Sequence, residues 1–155
     1  IPITILFGTE TGNAEMVAED LADEIAKTRD VSVSDLLKTS PASLSKDVFY
    51  ILVTSTYGEG ELPSSAQPFH QALIRDRPDL SGIRFAIFGL GDSFYGTFNN
   101  GSELLSTALQ ALNASQVGVR GMHDATSGLL PGDFATPWVR EILDRLGDGV
   151  NEVRA

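Results

Sequence analysis

The chain has no cysteine, which removes disulfides, thiol catalysis, iron–sulfur clusters and cysteinyl zinc sites at once. Its two histidines, His70 and His123, lack metal-ligand spacing, and neither they nor Asp124 receive a role. Basic residues are scarce: 11 stand against 21 acidic ones, for a formal charge of −10, and none precedes Lys27. Such a surface repels nucleic acid and anionic membranes and steers basic partners toward it. No apolar run approaches a membrane span and no signal-peptide pattern is present, so a cytoplasmic protein is expected. The triphosphatase pattern Gly-x-x-x-x-Gly-Lys-Ser/Thr is missing, as is Gly-x-Gly-x-x-Gly after the first apolar run. A receiver domain would place an aspartate where this chain has Thr54 and Ser55. Gly91-Asp92-Ser93 could suggest a hydrolase, but no histidine is placed as its base.

What is present suits one globular domain over residues 1–155: 42% of the residues are hydrophobic, and eight are Phe. The apolar runs 3–7, 48–53 and 83–88 read as parallel strands covered on both faces, with a half-exposed strand at Val31 and Val33 and a last strand near Gln116 to Val119. Residues 36–46 form a polar connection with room for one short helical turn. Helical spacing appears over 13–28, after Ser65 as cap with Pro68 in the first turn, over 102–112, and from Asp133 onward, with a loop from Gly121 to Gly132. Strands alternating with helices give a three-layer α/β fold around a five-stranded parallel sheet.

Three loops stand out. The turn Thr9-Glu10-Thr11-Gly12-Asn13-Ala14 joins a strand to a helix start; its short hydroxyl and amide donors and its glycine suit a phosphate held by neutral dipoles. The second, Thr54-Ser55-Thr56-Tyr57-Gly58-Glu59-Gly60-Glu61, and the third, Gly89-Leu90-Gly91-Asp92-Ser93-Phe94-Tyr95-Gly96-Thr97-Phe98-Asn99, each carry a tyrosine among glycines. Two aromatics beside a phosphate site describe a slot for a flat ring tethered to a phosphate, each stack contributing about 0.5–1.5 kcal/mol beyond buried area. Singly, the glycines serve turns, the tyrosines could pack on the sheet edge, and Phe98 and Asn99 either close the pocket or begin a helix.

Together these motifs resemble the flavodoxin family, in particular short-chain flavodoxins, MioC-type proteins and the FMN domains of diflavin reductases. One departure is visible: the phosphate motif usually ends in a further Thr or Ser where this chain has Ala14. The resemblance extends through Asp133-Phe134 and Trp138, and implies a short, uninterrupted last strand and the strand order 2-1-3-4-5, for which flavodoxin is itself the standard example. It implies FMN bound by Thr9, Glu10, Thr11, Gly12, Asn13 and Ala14 at the phosphate, and by Ser55, Thr56, Tyr57, Gly58, Gly60, Leu90, Gly91, Asp92, Tyr95, Phe98 and Asn99 around the ring. A glycine at Gly58 would let the peptide turn its carbonyl toward the ring nitrogen once that is protonated. The implied function is a low-potential electron carrier, not an enzyme, shuttling single electrons from an NADPH-dependent flavoprotein reductase to an acceptor redox protein as a monomer. An FMN module of a larger reductase, an FMN-dependent quinone reductase and a scaffold without cofactor are the alternatives. One uncompensated charge about 12 Å from the ring, at an effective dielectric of about 20, costs roughly 1.4 kcal/mol, or about 59 mV per electron, so the acidic surroundings lower the second potential.

Overall fold

A computed structural model describes residues 2–9, 12–56, 61–91, 100–124, 127 and 130–146. Its sheet is built from β1 (Ile3–Gly8), β2 (Val31–Asp35), β3 (Phe49–Ser55), β4 (Arg84–Gly91), β5 (Ser115–Gln116) and β6 (Gly121–Asp124). The pairings among these six strands are all parallel and the order is β2-β1-β3-β4-β5, with β6 also on β4. The expected order 2-1-3-4-5 is therefore present.

Four helices, α1 (Asn13–Ile25), α2 (Gln67–Asp76), α3 (Asn100–Ala111) and α4 (Pro131–Leu146), cover the two faces. Alternation along the strands divides the core. Ile3, Ile5, Phe7, Ile51, Val53 and Phe88 pack with α1 and α4. Leu6, Leu52, Phe85 and Ile87 pack with α2 and α3. Phe49, Phe69, Phe85 and Phe88 are each below 2% exposed, and burying a side chain of this size is worth about 1.5–3 kcal/mol. α1 buries Ala14, Val17, Ala18, Leu21 and Ile25 as its spacing requires. It stops three residues before Thr28, where the chain tightens so that the Thr28 N–H donates to the Ile25 carbonyl at 3.0 Å. The connection after β2 holds two 3₁₀ turns, Leu36–Lys38 and Pro41–Ser43, rather than one.

The last strand departs from expectation. Between Phe85 and Phe88, β4 advances three residues, while its partner goes from Gln116 to Gly121, five residues. Two extra residues thus enter as a bulge, with Gly118 at φ +72°. An insertion of two preserves which side chains face which layer, so the strand resumes in phase. The edge strand is consequently interrupted, and Gly121 to Asp124 form strand where a loop was expected. The indole N–H of Trp138 donates to the Val119 carbonyl at 3.0 Å and holds the bulge from the α4 side.

Candidate functional site

Parallel register brings the carboxyl ends of the three central strands to one edge: Gly8 pairs with Thr54, Thr54 with Gly89, Ser55 with Leu90, and Gly91 with Asp124. The three unusual loops leave from this edge, which is where ligands bind in open α/β sheets.

At the first turn, Gly12 takes φ +98° and is the N-cap of α1, and no side chain caps that helix. A Cβ at Gly12 would meet nothing within 4 Å, so the space beside this glycine is open. The Gly12 N–H donates to Thr9 Oγ1 at 2.7 Å, which leaves the Thr9 hydroxyl proton for another acceptor. The first-turn N–H groups, those of Asn13, Ala14 and Glu15, have no partner within the helix, and its positive end faces the opening. Asn13 is exposed, while Ala14 lies wholly in the core and can offer an anion only its backbone N–H.

Ser65 anchors this turn from a distance in sequence. Its Oγ accepts the Thr9 N–H at 2.7 Å. It does not cap α2 as the sequence suggests; the N-cap is Ala66, without a side-chain bond, and Pro68 lies in the first turn. Ala66 in turn presses on β1, since a Cβ on Gly8 would fall 2.6 Å from the Ala66 Cβ. A lone serine before a helix reads as a cap, and no local pattern reveals a partner 56 residues away.

On the ring side, the Thr56 N–H extends the β3–β4 ladder to the Leu90 carbonyl at 3.0 Å. Thr56 Oγ1 accepts the N–H of Gly101 at 2.9 Å, and a Cβ on Gly101 would lie 2.6 Å from the Ser55 carbonyl oxygen. Only glycine allows α3 to start this close to β3. Ser55, Thr56, Leu90 and Gly91 are thus brought together at one junction. Leu90 is 7% exposed and packs in the α1/α4 core, so its side chain serves the fold at that point. His123 is on β6, buried, with its ring edge-on to Phe134 at 5.5 Å. Glu10, Thr11, Tyr57, Gly58, Gly60, Asp92, Tyr95, Phe98 and Asn99 lie outside the described residues, as does Glu59.

Compared with known proteins, the chain matches the family described as Flavodoxin over residues 5–137. It is 33% identical over 140 residues to Protein MioC of Escherichia coli (strain K12), covering 88% of this chain and 92% of that protein. It is 36% identical over 153 residues to NADPH-dependent diflavin oxidoreductase 1 of Emericella nidulans, covering 91% of this chain but 23% of that protein. A mutant of flavodoxin from Pseudomonas aeruginosa superposes with a TM-score of 0.79 at 31% identity, covering 94% of this chain and 99% of that one.

Proposed function

Because the chain belongs to the flavodoxin family, we propose that it is an FMN-binding, low-potential electron-transfer protein that carries single electrons from a flavoprotein reductase to acceptor enzymes. The observation that carries this reading is the uncapped, open start of α1 beside the junction of β3, β4 and α3 at one sheet edge. A phosphate fits that turn, since a left-handed glycine, a hydroxyl with a spare proton and free helix N–H groups are what an anion needs. Bound FMN would supply reversible one-electron chemistry at its ring.

The protein's part is to hold and tune. Thr9, Glu10, Thr11, Gly12, Asn13 and Ala14 would hold the phosphate, and Tyr57 and Tyr95, with Ser55, Thr56, Gly58, Gly60, Leu90, Gly91, Asp92, Phe98 and Asn99, would hold the ring. No Lys or Arg precedes Lys27, so the turn contributes only dipoles and the phosphate charge persists near the ring. That charge, with Glu59, Glu61 and Asp92, opposes further electrons and keeps the second potential low. No residue acts as acid, base or nucleophile toward a substrate of its own, and the protein works as a carrier in a single domain.

Partners follow from charge and kinship. The Emericella relative is named for NADPH, and a relative in Bacillus subtilis is the Sulfite reductase [NADPH] flavoprotein alpha-component, 34% identical over 152 residues. An NADPH-dependent flavoprotein reductase with a basic face is therefore the donor, acting on a cytoplasmic monomer. Among the described residues no helix is long and apolar enough to cross a membrane. The test is the visible spectrum of the purified protein with its released chromophore identified. A yellow protein releasing FMN is expected; a colourless one whose apo form ignores micromolar FMN overturns the reading.

A further inference from the structure

Ser65 sits in a turn that is held on several sides. The Ala66 N–H donates to the Pro63 carbonyl at 2.9 Å, and Gln67 Nε2 donates to the Leu62 carbonyl at 2.9 Å. Leu62, Pro63 and Ala66 are all buried. The Ala66 Cβ lies against the end of β1, 2.6 Å from where a Cβ on Gly8 would stand. Ser65 is thereby fixed beside Thr9, the residue that follows Gly8.

The Ser65 hydroxyl is only half used there. Its oxygen accepts the Thr9 N–H at 2.7 Å, and among the described residues it makes no other hydrogen bond. A hydroxyl also carries a proton to donate, and Ser65 is only 8% exposed. A buried donor without an acceptor is destabilising, and bracing the turn needs the oxygen alone. The nearby carbonyls of Leu62 and Pro63 already have their donors. An arriving anion would supply the missing acceptor.

Thr9 repeats the arrangement, since its oxygen accepts the Gly12 N–H at 2.7 Å and its proton is left over. Two hydroxyls thus border one residue, each with a backbone N–H committed to its oxygen. Such an N–H polarises the O–H bond and makes the hydroxyl a stronger donor. In a turn that contains no Lys or Arg, backbone dipoles are passed to the ligand through hydroxyls.

We propose that Ser65 is a phosphate-binding residue: its hydroxyl, polarised by the Thr9 N–H, donates its proton to a phosphate oxygen of FMN. This rests on the FMN reading above.

The experiment compares the full chain as wild type, Ser65→Asn, Ser65→Asp and Ala42→Asp, the last adding the same charge on an exposed 3₁₀ turn. Asn and Asp are of one size, and both offer the Thr9 N–H an oxygen; Asn keeps a donor for the phosphate, whereas Asp puts a negative charge in its place. Apo proteins are titrated with FMN and with riboflavin by flavin fluorescence. Ser65→Asn should bind FMN within about threefold of wild type, and Ser65→Asp about a hundredfold or more weakly, with riboflavin affinity kept within about threefold in both. Ala42→Asp should leave the ratio of the two affinities within about threefold of wild type. In the FMN-loaded wild type, proton NMR correlated to ³¹P across hydrogen bonds should show the Ser65 hydroxyl proton coupled to phosphorus, a signature that turn bracing does not produce. A loaded wild type whose phosphorus couples to Thr9 but not to Ser65 overturns the proposal, as does a Ser65→Asp protein whose FMN and riboflavin affinities fall together. A wild-type apo protein that ignores FMN fails the earlier reading first, and the wild type alone reveals that.

Discussion

The backbone N–H of Thr9 donates to the side chain of Ser65 at 2.7 Å, and the Thr9 side chain accepts the N–H of Gly12 at 2.7 Å. Thr9 is therefore held from both sides, and the phosphate turn takes its shape partly from the segment that enters α2. Ser65→Ala leaves the half-buried Thr9 N–H without its acceptor, at a cost of about 1–3 kcal/mol. Chemical denaturation should show that loss. FMN affinity should fall by roughly fivefold, the equivalent of about 1 kcal/mol, while riboflavin affinity changes less. Unchanged affinity for both would mean that the turn keeps its shape unaided.

Two glycines of the same turn should fail differently. Gly12 sits at φ +98° in open space, so Gly12→Ala meets backbone strain alone, about 1–2 kcal/mol, and Gly12→Asn should cost less because asparagine tolerates this conformation. Gly8 has an ordinary backbone, but a Cβ there would meet the Cβ of Ala66 at 2.6 Å and Thr54 Oγ1 at 3.1 Å. Neither neighbour is a flexible chain end, so Gly8→Ala should cost about 1–3 kcal/mol by overpacking. Shortening is impossible at Ala66 except to glycine, so the double variant Gly8→Ala/Ala66→Gly should recover part of the loss. No such recovery is expected for Gly12→Ala combined with Ala66→Gly. Thermal unfolding of the set distinguishes strain from collision.

These cases show what the sequence makes legible. Continuous apolar runs between glycine-marked loops identify β1, β3 and β4, because runs this short, flanked by glycines, suit a strand covered on both faces better than a buried helix. The stripe from Ala14 to Ile25 identifies α1 equally well. The edge strand was harder: the apolar pattern runs a strand through Gly118 and starts a loop at Gly121, yet Gly118 shapes a bulge at φ +72° and Gly121 resumes the strand, where an added Cβ would lie 2.9 Å from the ring of Trp138. Ser65, Ser102 and Arg120 were illegible for a different reason. Their partners are Thr9 and one another across 18 to 56 residues, and hydrogen bonds between distant segments leave no periodic trace.

The proposed ring clamp is tested at Tyr95. Tyr95→Ala should weaken FMN by about 0.5–1.5 kcal/mol beyond the loss of buried area, measured by fluorescence titration. The comparison must be a residue with no structural duty. Gln110 is unsuitable because its side chain bonds Ser106 and Gln116 on α3 and the edge strand. Lys38→Ala, on an exposed 3₁₀ turn, serves better. Equal affinities for the two variants would remove the sandwich of Tyr57 and Tyr95.

Acid should destabilise the protein in two stages. Burial holds His70 below its ordinary value of 6.5, so the unfolded chain takes up more protons and stability falls as pH drops through that value. Glu24, bonded to Arg140 at 3.2 Å and to Lys27 at 3.1 Å, is held below its ordinary value of 4.5 by those bonds. Its contribution is present above that pH and is lost below it, when the tie between α1 and α4 is protonated. His70→Gln should flatten the first stage, between about pH 7 and 5, and Glu24→Gln the second, below about pH 4.5. Melting temperatures across pH in both variants check the assignment.

Exposed Glu15, Glu19, Asp20 and Asp23 on α1 share a helix whose start is the phosphate turn, so the acidic surface adjoins the proposed site. With a formal charge of −10, encounter with a basic reductase should be accelerated by long-range attraction. Screening shortens from about 10 Å at 0.1 M salt to about 3 Å at 1 M, so attraction between separated surfaces disappears over that range. The second-order rate of reduction by an NADPH-dependent flavoprotein reductase should therefore fall by about tenfold or more, within the range expected of steered association. Glu15→Gln/Glu19→Gln should lower the rate at low salt and converge with wild type at high salt, because neutralising the residues and screening them remove the same field. A flat salt profile would place recognition in short-range contact, and an equal deficit of the double variant at every ionic strength would point to a damaged turn instead.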